Sequence, residues 1–224
     1  MIQGRKVVDM FRVTLTVMKN ISQGDAAQII EQLTDSLTVQ PETGGGPVAS
    51  FQKVGQRQVQ GWLRSADEVV GFILSAARSG SWGVNLTALL DKDQVHEFDW
   101  SHGESGDLMG KQVQELESLD ATRAPGGVQV MMAQGNSLVG AGSAPALGLI
   151  EAGMQLLCSI ERRRSVEGQE AGLMINAGSS QRAAAEHLSV SQQAVSSRLQ
   201  AGYWYESRRV AYWLAQQLSE LMQS

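Results

Sequence analysis

The side chains whose types and spacing could do chemistry lie between residues 180 and 200. The run Ser180-Gln181-Arg182-Ala183-Ala184-Ala185-Glu186-His187-Leu188-Ser189-Val190-Ser191-Gln192-Gln193-Ala194-Val195-Ser196-Ser197-Arg198-Leu199 divides into two short helical segments around a tight turn. Two helices that cross steeply need a tiny residue where their axes meet and apolar residues on the shared inner face. Ala185 supplies the first, and Leu188, Val190, Val195 and Leu199 supply the second, with Val190 plugging the turn. Ser191 is placed to cap the second helix through its hydroxyl. Gln192, Gln193, Ser196, Ser197, Arg198 and Gln200 then face outward. A polar ridge of this kind suits the major groove of duplex DNA, because Gln can bond an adenine edge bidentately and Ser or Arg can reach phosphate or guanine. Gln181 and Arg182 open the first helix, where Arg182 is expected to contact phosphate. Ser189 falls where such turns favour glycine, a position that often needs a positive φ. The alternative is a helical hairpin that packs only for its own sake.

Catalytic chemistry finds less support. His96, His102 and His187 are scattered, and Cys158 stands alone in an apolar helix, so neither a zinc site nor a cysteine nucleophile has partners at usable spacing. Cys158 is expected to fill core space. Asp91, Asp93, Glu97, Asp99, Glu104 and Asp107 lack the spacing of a calcium loop and read as a solvated segment. Gly140-Ala141-Gly142 lacks the third glycine of a dinucleotide fingerprint. No catalytic residue, metal or cofactor is therefore expected. Arg162-Arg163-Arg164 close a helix whose C-terminal dipole favours cations, with a DNA-backbone contact as the other reading. Trp204, Tyr212 and Trp213 are expected in a core or a dimer interface.

The elements that must position the ridge read in two styles. At the front, residues 12–17 alternate as a strand, and Ser22 caps a helix carrying Ala26, Ile29, Ile30, Leu33 and Leu37. A glycine-rich loop (41–47) precedes a hairpin of residues 48–54 and 58–63. Ser65 caps a helix with Val69, Val70, Ile73, Leu74 and Ala77 on one face, Gly80 ends it, and residues 82–90 form the next strand. The order strand, helix, hairpin, helix, strand predicts a ferredoxin-like, cyclase-like α+β domain over 1–134 that senses or dimerises. An acidic loop (91–107), a helix (108–119) and a strand (128–133) extend it. Residues 135–146, rich in Gly, Ser and Ala, are expected to be a linker. Residues 147–224 form an all-α domain: helices over 147–164 and 166–177, the helix-turn-helix at 180–200, and a last helix over 203–222.

Charge and composition set the remaining bounds. The net charge of −5 falls entirely on residues 1–144, whereas residues 145–224 hold 7 Lys and Arg against 7 Asp and Glu. A neutral back half tolerates phosphate better than an acidic one. The single cysteine excludes an intrachain disulfide and fits a reducing cytosol. The apolar stretch 7–18, broken by Asp9 and Arg12, is too short to span a bilayer, so a cytoplasmic protein that does not bind membranes is expected. One short reading module gives little DNA contact, which favours a homodimer on two half-sites of double-stranded DNA. The expectation is thus a transcription regulator that is not an enzyme. Its rivals are a degenerate nucleotide-binding or cyclase-like enzyme domain with a helical tail, and a protein-interaction adaptor.

The 180–200 segment resembles the helix-turn-helix of bacterial repressors and of the promoter-reading region of sigma factors. The whole chain resembles a family of small actinobacterial DNA-binding proteins related to the SatD family. The residues that carry this are Val54-Gly55-Gln56-Arg57-Gln58-Val59-Gln60-Gly61, Trp82-Gly83-Val84, the 181–199 segment and Trp204. The resemblance implies an N-terminal α/β domain joined to a C-terminal helix-turn-helix. Family members usually carry Asp and Glu where Gln56 and Arg57 stand, at the tip of a hairpin like that of nucleotide cyclases. A carboxylate there could hold a divalent metal against phosphates. Gln56 and Arg57 cannot, which implies that any such site is lost, and leaves an anion contact by Arg57 as a minor alternative to an exposed turn.

Overall fold

The computed structural model describes residues 11–38, 49–89, 121–134 and 137–223. The expected loops over 41–47 and 91–107, the helix over 108–119, and His96 and His102 lie outside these residues.

Strand β1 (Phe11–Val17) turns Phe11, Val13, Leu15 and Val17 to one face, where all four are buried. Arg12, Thr14 and Thr16 take the other face, as the two-residue period of a strand requires. Helix α1 (Gln23–Thr38) follows, with the Ser22 hydroxyl accepting the Asp25 N–H at 3.2 Å. Strands β2 (Ala49–Gly55) and β3 (Gln58–Leu63) form the expected hairpin. Helix α2 (Ala66–Ser79) is capped by Ser65 and buries Val69, Val70, Ile73, Leu74 and Ala77. Gly80 ends α2 at φ 69°, in the left-handed region that glycine enters without steric cost. Strand β4 (Trp82–Leu89) is buried along its whole length.

After two 3₁₀ turns, Ala121–Arg123 and Pro125–Gly127, come β5 (Val128–Gln134) and β6 (Ser137–Gly140). The six strands make one mixed sheet in the order β2-β3-β1-β4-β5-β6. Only β4 and β5 run parallel; the other neighbours are antiparallel. With seven described helices beside this sheet, the chain is of the α+β class.

Two expectations about boundaries are corrected. The linker expected at 135–146 contains β6, in which Leu138 pairs with Ala133 and Val139 with Met132. A four-residue edge strand is too short to show its alternation against a background of Gly, Ser and Ala. The all-α unit expected at 147–224 does not keep to itself either. Helices α3 (Pro145–Arg163) and α7 (Trp204–Leu221) pack over the sheet with α2. Leu147, Ile150, Met154, Leu157 and Cys158 of α3, with Leu214 and Leu218 of α7, share the core of Val13, Leu15, Val70 and Ile73. Sequence periodicity shows that a helix has an apolar face and is silent about what that face meets.

Helix α3 also finishes the sheet. Where β6 stops pairing, Glu151 accepts the N–H of Val130 at 2.8 Å and Gln155 donates to the carbonyl of Val128 at 3.1 Å. These side chains replace the missing ladder bonds of β5, since unpaired buried backbone groups are costly.

Candidate nucleic-acid interface

Between α3 and α7 lie three short helices, α4 (Val166–Asn176), α5 (Gln181–His187) and α6 (Gln192–Ala201). Each begins at a serine. The hydroxyls of Ser165, Ser180 and Ser191 accept the N–H of Gly168, Ala183 and Ala194, each at 3.1 Å. Every bond satisfies a donor that the first turn of a helix leaves unpaired.

The three helices close a second, smaller core of Ala171, Ala184, Ala185, Val195, Leu199 and Trp204. Leu188 and Val190 pack against it half-buried, from the turn. Ala185 is 5% exposed, and its carbonyl accepts the N–H of Val190 at 3.0 Å, which ties the turn back onto the first helix. Ser189 has φ 54°, the left-handed conformation expected at the place where such turns favour glycine. A side chain there costs about 1–2 kcal/mol, against about 0.5–1 kcal/mol for the freedom glycine loses on folding. Ser189→Gly is therefore expected to stabilise the protein by about 0.5–1 kcal/mol, read from the urea midpoint at constant m-value.

On the outer side of α6, Gln192, Gln193, Ser196, Ser197 and Gln200 are all exposed and form one polar ridge. Ser191 is exposed at its head with its hydroxyl held by Ala194. Arg182 stands clear of the protein, its side chain 82% exposed, and pairs with Glu186 one turn on at 3.2 Å. A pair so exposed contributes little to stability and leaves the guanidinium available. Gln181 is only half-exposed, and its amide donates to the Tyr205 hydroxyl at 3.3 Å. Arg198 departs from the outward position expected of it. It is half-buried on the flank of α6, where its charge acts on Glu167 at the head of α4.

Trp204 joins this small core to the rest of the molecule. It is 1% exposed, so of the three aromatic residues expected in a core or an interface it alone is internal; Tyr212 and Trp213 are exposed. Gly172 lies flush against its ring, where a Cβ would come within 2.1 Å of the indole. The guanidiniums of Arg164 and Arg208 lie over the ring at 4.7 and 4.9 Å. Both arginines also reach Glu161, whose side chain is fully buried. Arg164 contacts one carboxylate oxygen at 2.6 Å, Arg208 contacts the same oxygen, and Arg78 of α2 contacts the other at 3.0 Å. Arg164 further donates to the Gly202 carbonyl at 3.0 Å and the Ser207 hydroxyl at 2.9 Å. Burial holds the Arg208 guanidinium below its ordinary range, against the opposing pull of Glu161.

The basic run 162–164 is thus mostly structural. Arg164 is buried, Arg162 donates to the carbonyls of Ala77 and Trp82, and Arg163 alone stays exposed. Helix-end electrostatics and a DNA contact both miss this role. The available signal was Glu161 itself, a carboxylate on the buried stripe of Met154, Leu157 and Cys158. Gly168 and Gly172, one turn apart on α4, were the matching sign of a close approach.

Elsewhere among the described residues, no reactive group emerges. Arg57 donates to the carbonyls of Met18 and Ile21 at 2.6 and 2.9 Å, pinning the β1–α1 turn, and Gln56 accepts from Gln23. One nitrogen of the guanidinium thus makes both bonds to the backbone of that turn, a structural role beside the exposed turn and the anion contact weighed for it. Burial pushes the Cys158 thiol up to about 12, so it stays protonated and is no nucleophile. Among the described residues, no group of three or more His, Cys, Asp or Glu is placed to hold a metal, and no helix is long and apolar enough to cross a membrane. No family model, curated protein or solved structure matches the chain.

Proposed function

We propose that the chain is a DNA-binding transcription regulator that reads duplex DNA through α5 and α6. The observation that carries this is the exposed ridge of Gln192, Gln193, Ser196 and Ser197 on a helix whose opposite side, Val195 and Leu199, is fully buried. A helix held by one face, capped by Ser191 and free of acidic residues along the other, can enter a major groove side-on. Arg182 at the start of α5 supplies the phosphate contact, and Gln181, Ser191 and Arg198 flank the ridge as auxiliary polar groups.

One feature of the front half fits the same proposal. The order β2-β3-β1-β4, antiparallel throughout, is that of a ferredoxin-like domain and supports such a fold for the sensing or dimerising part. Kinship with the SatD-related family rests on the sequence blocks that suggested it. The proposal includes a homodimer on two half-sites and a cytoplasmic location, with no reaction catalysed and no cofactor required.

The test is selection from random duplexes, followed by fluorescence anisotropy at two salt concentrations. Gln193→Ala is expected to cost about 1–3 kcal/mol on the selected site and to flatten the preference at one base pair. Arg182→Ala is expected to weaken selected and scrambled duplexes alike and to lower the salt slope by about one. Equal binding by both variants and the parent would refute the assignment. So would failure to retain any duplex at low salt.

A further inference from the structure

Helix α3 is turned inside out relative to an ordinary surface helix. Its exposed residues before Arg163 are Pro145, Ala146, Leu149, Ala152 and Leu156, every one of them apolar. Leu149 is 67% exposed and Leu156 60%. The polar side chains of the same helix are engaged by the protein. Glu151 and Gln155 bond the backbone of β5, Ser159 donates to the Gln155 carbonyl at 2.8 Å, and Arg162 donates to the carbonyls of Ala77 and Trp82. Glu161 is buried among its three arginines. A helix that packs one face on a core normally turns charged and polar residues to water, so the outer face of α3 is built for an apolar contact. Helix α7 extends it. Leu214 packs so closely on α3 that a Cβ at Gly153 would come within 2.9 Å of its side chain. Trp213, one residue earlier and 44% exposed, therefore borders the same face.

We infer that this face is where two copies of the chain pair, α3 against α3 in antiparallel register. A second copy is favoured over another partner on three grounds. The exposed residues from Pro145 to Leu156 carry no charge, so this face does not select a charged partner or an anionic lipid surface. Its leucines are spaced for self-complementarity: a two-fold axis between Ala152 and Gly153 sets Leu149 of each copy against Leu156 of the other. The small residues Ala152 and Gly153 then fall at the crossing point, where helices about 8–10 Å apart leave little room for side chains. The area is also of the right size. Leu149, Leu156, Trp213 and the small residues beside them leave roughly 400 Å² of apolar surface on each copy, about half of what each partner of a stable pair covers. A polar rim supplies the remainder, and Arg163 and Arg209, both exposed, lie along it. The pairing gives a contact surface to the homodimer of the proposed function and rests on that homodimer, not on the reading of DNA.

The experiment is sedimentation equilibrium of the full chain without DNA, so the masses are independent of whether any duplex binds. The parent is expected at twice its 24.1 kDa at micromolar concentration. Leu149→Lys with Leu156→Lys gathers like charges in an apolar contact and is expected to weaken the dimer at least about a hundredfold. Both leucines are exposed in the single chain, so this variant is expected to keep the parent's far-ultraviolet circular dichroism. Leu149→Lys with Leu156→Glu sets opposite charges across the axis and is expected to pair at least about tenfold tighter than the double lysine variant. Leu156→Ala serves if the charged variants fold poorly, with a weakening of at least about tenfold expected. Leu173→Lys, at an exposed leucine of α4, is expected to leave the mass unchanged. A monomeric parent overturns the pairing and the homodimer together. A dimer that withstands the double lysine change, or that Leu173→Lys dissociates equally, overturns the pairing alone. Equal weakening by the two charge patterns overturns the antiparallel register.

Discussion

Glu161→Ala is expected to lower stability by about 3–5 kcal/mol. The carboxylate is the only anion among the described residues that contacts Arg164, and the same two oxygens serve Arg208 and Arg78. Removing it leaves Arg164 buried with bonds to Gly202, Gln169 and Ser207, all neutral, and brings three positive charges together with nothing between them. Desolvation is already spent on these groups, so the loss is far larger than for an exposed pair such as Arg182 and Glu186. Glu161→Gln keeps the volume and one acceptor and is expected to fall between the parent and the alanine variant. The sharper comparison is the double change Glu161→Leu with Arg164→Met. A buried ion pair replaced together by apolar residues commonly regains what either single change loses. Urea unfolding of the set, analysed as a cycle, gives the coupling directly. A loss below about 1 kcal/mol for Glu161→Ala would mean that the arginines relax into solvent and that the carboxylate does not tie α2 to α3 and α7.

How much of this was legible beforehand follows from which forces act locally. The serine caps, the Gly80 stop and the left-handed Ser189 depend on a few neighbouring residues, and the sequence displays those neighbours. The polar ridge of α6 was readable for the same reason: helix period fixes which side chains oppose Val195 and Leu199. Arg198 was misplaced because its position depends on α4, a separate helix whose approach is set by glycines. Arg12 sat in plain alternation as a polar residue on a half-buried strand, yet its side chain is buried as deeply as those of Phe11 and Val13. Which helices share the sheet's core, and which close a second one, is decided by long-range packing. No window of the sequence contains both partners of Leu15 and Leu218.

Trp204→Ala is expected to cost about 3–5 kcal/mol and to concentrate its damage in residues 166–201. The second core has six buried members, and three of them are alanines. Trp204 is therefore its largest single member, so the surrounding helices cannot collapse onto the space it leaves without moving as bodies. The first core, spread over the sheet and four helices, does not depend on that ring. Amide exchange separates the two. Protection in α5 and α6 is expected to drop toward that of exposed loops, while β1 and β4 keep theirs. On the proposed DNA reading, loss of α6 is also expected to abolish duplex binding, although no residue on the ridge has changed. Trp204→Phe retains an aromatic surface for Arg164 and Arg208 and is expected to recover part of both signals. The pair of readouts matters because each separates a different cause. If Trp204→Ala loses DNA while α6 stays protected, the indole contributes to binding itself rather than holding the ridge in place. If α6 loses protection and duplex affinity survives, the ridge is not where the duplex is read.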